Sequence, residues 1–438
     1  MGAPFLREVK AKNTPKNHRE GIVMTGQTRD YLIGFTCIRC GTEFLPGDVV
    51  YTCPQCHGNL DARYNYPKIR RVLTPTFLNN QEPSLWRYRP LLPLRLPESP
   101  ISLSVGMTPF TRAPNLGQTL GLQRLYIKND GLNPSGSLKD RASFVVIVHC
   151  IEKNIRHVCT ASSGNAGVSL GCLGASARIE TTIFVPQSAP RPKIAQLLVY
   201  GARVFLVRGS YSQAFSVCEA VSSRLHLYNR NTGTNPYTRE GKKTVAFEIW
   251  EQMAFDVPDW VIVSVGDGNI ISGVYKGFFD LHEAGLTDRM PRLAGVQSTG
   301  SAAITRAFKG DGTIRPVEAR TVADSISVSM PSDGEAALLA VQRTDGTMVA
   351  VKDEDILESI RRLAAGEGVF AEPSGAACFA GLEELVAQKR VDPQDRVVLI
   401  VTGHGLKDVD SAAEIAGEAI AVDPNPDEVL QFLDATGD

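Results

Sequence analysis

Short, continuously apolar runs alternate with amphipathic stretches over most of the chain after Leu103. The runs 125–128, 182–186, 204–207, 260–265, 293–297 and 396–401 predict short strands. Helical spacing predicts helices after Lys139 and after Gly164, and over 195–200, 211–225, 270–282 and 353–365. The last of these carries its acids early and Arg361 and Arg362 late, as the helix dipole favours. Strands that are apolar on both faces belong in parallel sheets covered by helices. Two doubly wound open sheets with a cleft between them fit the length of the chain.

The flanking segments break this alternation. Residues 1–34 are polar and mixed in charge and read as a flexible tail, without the apolar stretch of a secretory leader. Residues 35–66 form a compact, cysteine-bearing unit. Residues 67–102 are rich in proline and read as an irregular connector on the surface. The large domain is expected to combine 103–138 with 234–415, and the small domain to span 139–233. An acidic tail, 416–438, carries a short helix near 427–433.

Composition narrows the classes of function. Hydrophobic residues make up 43% of the 438 and charged residues 21%, enough for an ordinary core. With 46 basic against 47 acidic residues the net charge is -1, so neither nucleic acid nor an anionic membrane is an expected partner. No apolar run approaches the ~18 residues of a membrane span. Nine cysteines, an odd number, do not make a disulfide framework. Cys150, Cys159, Cys172, Cys218 and Cys378 are expected as small core residues in a reducing compartment, hence a cytoplasmic location.

The other four form two knuckles, Cys37-Ile38-Arg39-Cys40 and Cys53-Pro54-Gln55-Cys56. Two such pairs at this separation match a tetrathiolate zinc ribbon. A unit of about thirty residues cannot build a sufficient core, so a structural metal would supply the missing stability. Four thiolates close the shell and leave no position for a substrate, so the chemistry belongs elsewhere.

Four loops carry candidate chemistry. In Asn133-Pro134-Ser135-Gly136-Ser137-Leu138-Lys139, turn residues deliver a lysine to a helix start. An amine near other cations, or partly desolvated, loses its proton readily and can form a Schiff base. In Ser162-Ser163-Gly164-Asn165, small residues open a helix where backbone N–H groups can meet a carboxylate; Ser163 can also cap that helix. Gly266-Asp267-Gly268-Asn269-Ile270 follows the most apolar strand and has the make-up of a phosphate cradle. It matches neither the dinucleotide fingerprint nor the P-loop. In Thr402-Gly403-His404-Gly405, Thr402 stands at a strand end, and the glycine-flanked His404 reads as a turn residue rather than a base.

Together these segments resemble the fold-type-II family of pyridoxal-phosphate enzymes, with the tryptophan synthase beta-like fold. Within it, the threonine synthase branch is the most similar. The ribbon, Val105-Gly106-Met107-Thr108-Pro109, the Lys139 loop, Asn235-Pro236 with Glu240-Gly241-Lys242-Lys243-Thr244, and the Thr402 loop carry the resemblance, which spans about 103–408. It implies Lys139 as the Schiff-base residue, Asn165 on the cofactor's phenolic oxygen, Gly266, Asp267, Gly268, Asn269 and Ile270 around its phosphate, and Thr402 on the pyridine nitrogen. Ser162, Ser163, Gly164 and Asn165 would hold the substrate carboxylate, with Thr238, Arg239 and Ser325 also in the substrate site.

The implied reaction turns O-phosphohomoserine and water into threonine and phosphate; a homodimer is usual for the family. A serine or threonine dehydratase and a beta-replacement enzyme are the alternatives, and a non-catalytic ribbon protein is the alternative of another class. Three departures from the branch stand out. Arg239 falls one place later than the arginine often found after Asn-Pro, Leu138 replaces a phenylalanine, and Asp324-Ser325 stand where small apolar residues are usual.

Overall fold

The apolar runs pair as parallel strands, because only a neighbouring strand satisfies their backbone while helices cover both faces. The computed structural model describes residues 31–189 and 191–436. Thirteen strands occur among them: Leu32–Cys37 (β1), Glu43–Phe44 (β2), Leu60–Tyr64 (β3), Phe110–Arg112 (β4), Arg124–Asn129 (β5), His157–Ala161 (β6), Glu180–Pro186 (β7), Arg203–Val207 (β8), Tyr228–Asn229 (β9), Trp260–Ser264 (β10), Arg292–Ser298 (β11), Thr347–Val351 (β12) and Arg396–Val401 (β13). They form a six-stranded sheet ordered β12-β11-β10-β13-β5-β4, a four-stranded sheet ordered β8-β7-β6-β9, and a small sheet ordered β2-β1-β3.

The four-stranded sheet is wholly parallel. The six-stranded sheet is parallel except for its edge strand β4, which runs antiparallel to β5. At the centre, every residue of β10 is buried, and each buried Val or Ile side chain there contributes roughly 1.5–3 kcal/mol. Parallel pairing aligns the carboxyl ends of β5, β13 and β10 side by side. The loops that follow them, beginning at Asp130, Thr402 and Val265, therefore share one rim.

Two expectations about the amino-terminal part change. The tail expected over 1–34 lies outside the described residues as far as residue 30, and β1 already begins at Leu32, because Tyr31 and Phe35 are buried in the core. The segment 67–102 is not a surface connector. Prolines cut it into short helices, Tyr66–Arg70, Pro75–Asn79 and the 3-10 turn Leu85–Leu91. Its apolar residues still gain by burial: Leu85, Trp86, Tyr88 and Leu91 are all interior, with Trp86 against Phe144 and Tyr88 against Phe247. No described helix is long and apolar enough to cross a membrane.

Candidate active site

Lys139 owes its position to its neighbours. It opens the Lys139–Glu152 helix, and the next two residues are anchored on either side of it. Asp140 accepts from the Ser135 N–H at 2.6 Å and from the Ser135 hydroxyl at 2.5 Å, which closes the loop. Arg141 is bidentate to Asp130 (2.6 and 2.8 Å) and to Glu248 (2.5 and 2.8 Å), all fully buried. The loop is also stitched to the strand end of β13. Leu138 N–H donates to the Thr402 carbonyl at 2.9 Å, and His404 N–H to the Gly136 carbonyl at 3.1 Å. The first and fourth loops thus form one unit.

The Lys139 amine has no hydrogen-bond partner among the described residues, and part of the residue stays open to the cleft. Burial pulls its pKa down to about 8 against the opposing pull of Glu372; Arg230 pushes in the same direction as burial, and Asp267 opposes it. Asn165 opens the Asn165–Ala177 helix, which follows β6 of the four-stranded sheet. Its amide donates to Glu372 at 2.7 Å and to the Ser325 hydroxyl at 3.2 Å. Gly164, not Ser163, is the cap of that helix, and no side chain caps it, so its first-turn N–H groups stay available to a ligand. Ser162 lies beside it, its hydroxyl accepting from Gly164 N–H at 3.3 Å.

The glycine loop after β10 feeds the Asn269–Glu283 helix, again with no side-chain cap. Gly268 has φ +91°, and a Cβ there would meet the Asp333 carbonyl at 2.7 Å; one on Gly266 would meet Ile326 Cα at 2.9 Å. A loop that tolerates no side chain and ends in free helix N–H groups fits a phosphate. Asp267 accepts from Ser332 N–H (3.2 Å) and hydroxyl (3.1 Å), while burial raises its pKa.

Arg239 does not join the Lys139 cleft in the way expected, whereas Thr238 lies 3.5 Å from Asn269 Oδ1 of the glycine loop. The Thr238 hydroxyl donates to the Asn235 carbonyl at 2.7 Å. Arg239 turns towards the small sheet: it bonds Asp61 at 2.6 Å, the Leu60 carbonyl at 3.3 Å, and both oxygens of Asp333. Its fork is occupied within the fold rather than free for a substrate phosphate. His404 is a turn residue, its Nδ1 accepting from Leu406 N–H at 3.1 Å.

Sequence reasoning missed Glu372. It precedes Pro373 at the start of the Pro373–Ala387 helix and is only 5% exposed. Burial raises its pKa, and Asn165 and Lys139 oppose that shift. An acid before Pro reads as an ordinary helix start, so no local signal marks it.

The four knuckle cysteines converge as well: their sulfurs all lie within 4.8 Å of one another, with Cys37–Cys56 at 3.4 Å and Cys40–Cys53 at 3.7 Å. A Cβ on Gly58 would meet the Cys37 sulfur at 2.8 Å, so glycine is needed for this approach. Four convergent thiols fit a tetrahedral thiolate-bound ion. The other five cysteines are buried and free.

Comparison with known proteins agrees with this geometry. The family model of pyridoxal-phosphate dependent enzymes matches residues 101–403. The threonine synthase of Methanosarcina acetivorans is 37% identical over 400 residues, covering 91% of this chain and 98% of that one. The threonine synthase of Methanocaldococcus jannaschii is 36% identical, covering 88% and 96%. Among solved structures, a processed threonine deaminase from Solanum lycopersicum superposes with TM-score 0.62 at 22% identity, over 70% of this chain and 86% of that one. Maize serine racemase does so with TM-score 0.61 at 20% identity, over 75% and 93%, a likeness of fold.

Proposed function

The chain belongs to the pyridoxal-phosphate-dependent enzymes and, among them, to the threonine synthases, and we propose from this that it converts O-phosphohomoserine and water to threonine and phosphate. The observation that carries the reading is the unpartnered Lys139 amine, within electrostatic reach of Glu372, which holds Asn165, and of Asp267 in the glycine loop. When bound, pyridoxal phosphate supplies an electron sink for carbanions next to the substrate nitrogen.

The remaining work falls to the chain's own groups. Lys139 would be the residue to hold the cofactor, and its free amine would carry protons at the alpha and beta carbons of the substrate. An amine brought to about 8 takes up and returns protons near neutral pH. Ser162, Ser163, Gly164 and Asn165 would bind the substrate carboxylate, with the uncapped helix start at Asn165 supplying N–H groups. Asn165, steadied by Glu372, faces the cofactor's phenolic oxygen, and Ser325 lies beside it. Gly266, Asp267, Gly268, Asn269 and Ile270 cradle the cofactor phosphate. Thr402, at the end of β13, would be the group beside the ring nitrogen. A neutral hydroxyl there does not keep the nitrogen protonated as a carboxylate would, which restrains the sink.

Around this centre we infer a structural zinc on Cys37, Cys40, Cys53 and Cys56, a small domain over 139–233 against a large one over 103–138 and 234–415, a homodimer, and a cytoplasmic setting. The test is a substrate screen on the purified protein. Threonine and phosphate should appear in equal amounts from O-phosphohomoserine, and Lys139→Ala should abolish both the cofactor's visible band and turnover. Turnover of serine or phosphoserine with none of phosphohomoserine would move the protein to the dehydratase or beta-replacement reading.

A further inference from the structure

Arg230 is a buried cation without an anion. It follows β9, its N–H donates to the Cys159 carbonyl at 2.8 Å, and it has no exposed surface. Nη1 donates to the Thr232 hydroxyl at 2.9 Å, while Nε and Nη2 have no partner among the described residues. By contrast Arg87, Arg141 and Arg239 each meet a carboxylate at 2.6 Å. Asp140 is near enough to favour its charge but makes no hydrogen bond to it, and cations stand close as well. Lys139 lies near it, and so does Lys242, whose amine donates to a neutral acceptor, Asn269 Oδ1, at 2.5 Å. Carboxylates temper this cluster, Asp267 among them, but a fully buried guanidinium with two unbonded nitrogens is costly and points to an anion supplied from outside.

The glycine cradle and the Asn269–Glu283 helix start already suit the cofactor phosphate, and Lys242 reaches that cradle through Asn269; Arg230, which makes no bond to it, is the group left for a second anion. Arg230 also stands on the substrate side. Its neighbour Asn231 accepts from Ala161 N–H at 2.8 Å and from the Thr160 hydroxyl at 3.0 Å, which ties Arg230 to the loop opening at Ser162. We propose that Arg230, backed by Lys242, clamps the phosphate of the substrate, the task that Arg239 is turned away from. The inference rests on the phosphorylated-substrate reading above. A carboxylate on the Ser162 loop and a phosphate on Arg230 define a substrate with an anion at each end.

The experiment uses the full-length holoenzyme with Arg230→Met and Arg230→Lys, and inorganic phosphate as the probe. Losing charge-assisted hydrogen bonds should raise both KM for O-phosphohomoserine and Ki for phosphate by ~10–100-fold in the methionine variant. Lysine should restore part of the loss, and cofactor affinity should stay within about threefold. The phosphate-free methionine variant should melt no lower than the parent, because an unpaired buried charge has been removed. Phosphate should stabilise the parent and not this variant.

Weaker cofactor binding with unchanged KM and Ki would give Arg230 to the cofactor phosphate and overturn the proposal. A lower melting temperature with phosphate stabilisation intact would do the same, by showing a structural role. If methionine prevents folding, the lysine variant carries the same titrations. Arg230-dependent phosphate binding in a protein that makes no threonine would sink the substrate reading and leave the clamp standing. Threonine formation indifferent to Arg230 would sink the clamp alone.

Discussion

Asp333 is where the cysteine ribbon meets the glycine loop after β10, and its charge should govern both. The carboxylate accepts from Asn59 at 2.5 Å, Ser272 at 2.6 Å, Asn269 at 2.9 Å and the Arg239 fork. Its backbone N–H donates to the Asp267 carbonyl at 3.0 Å. From the ribbon side, Arg39 is bidentate to Glu335 (2.9 and 2.8 Å) and Asp61 holds Arg239. Asp333→Asn keeps the shape, removes the charge and points an amide donor at a cluster of donors. Breaking a buried ion pair by neutralising one partner costs ~3–5 kcal/mol. Asp61 keeps a share of Arg239, so the lower end is expected. At about 2 cal/mol/K per residue, that is a fall of ~3–5 °C in melting temperature for a chain of 438 residues. Freed from Asp333, Asn269 no longer fixes the helix start, and cofactor affinity should drop by about tenfold, the worth of one charge-assisted hydrogen bond. Thermal melts of apo and holo protein, with cofactor titrated by absorbance, read both effects. A variant that melts within about 1 °C of the parent and binds cofactor equally well would refute the brace.

Other perturbations test separate parts of the molecule. Cys53→Ser should empty or weaken the thiolate site, lowering bound zinc and thermal stability while leaving KM nearly unchanged; equal metal content in the variant would count against the ribbon. His149 packs its ring 3.9 Å from that of Tyr237, and burial lowers its pKa to about 4. Its unfolded form binds a proton first, so the stability it contributes is full above its ordinary value near 6.5 and is lost as pH falls towards 4, by up to about 3 kcal/mol. Replacing it with Phe should flatten the stability–pH curve in that window, and an unchanged slope would show that another group titrates there.

What could be read from the sequence was what local pattern encodes. Lys139, the glycine loop and Thr402 each sit where an apolar strand or a tight turn gives way to a loop, and the four cysteines are given by spacing alone. Arg230 and Glu372 were not legible, because their neighbours come from distant strands: β9 is two residues long and is recognisable only once paired with β6. Arg239 shows how narrow the margin is. In the Tyr237–Lys242 helix one residue is a rotation of about 100°, enough to exchange the cleft for the ribbon. Thr238 and Lys242, four apart, share a face and both reach Asn269 Oδ1, at 3.5 and 2.5 Å. The helix therefore does present a cation towards the glycine loop after β10, one turn later than a search for arginine after Asn235-Pro236 would look. Charge near the glycine loop follows from the face of the helix and not from position along the chain, and so Arg239, one residue from Thr238, serves the fold through Asp61 and Asp333.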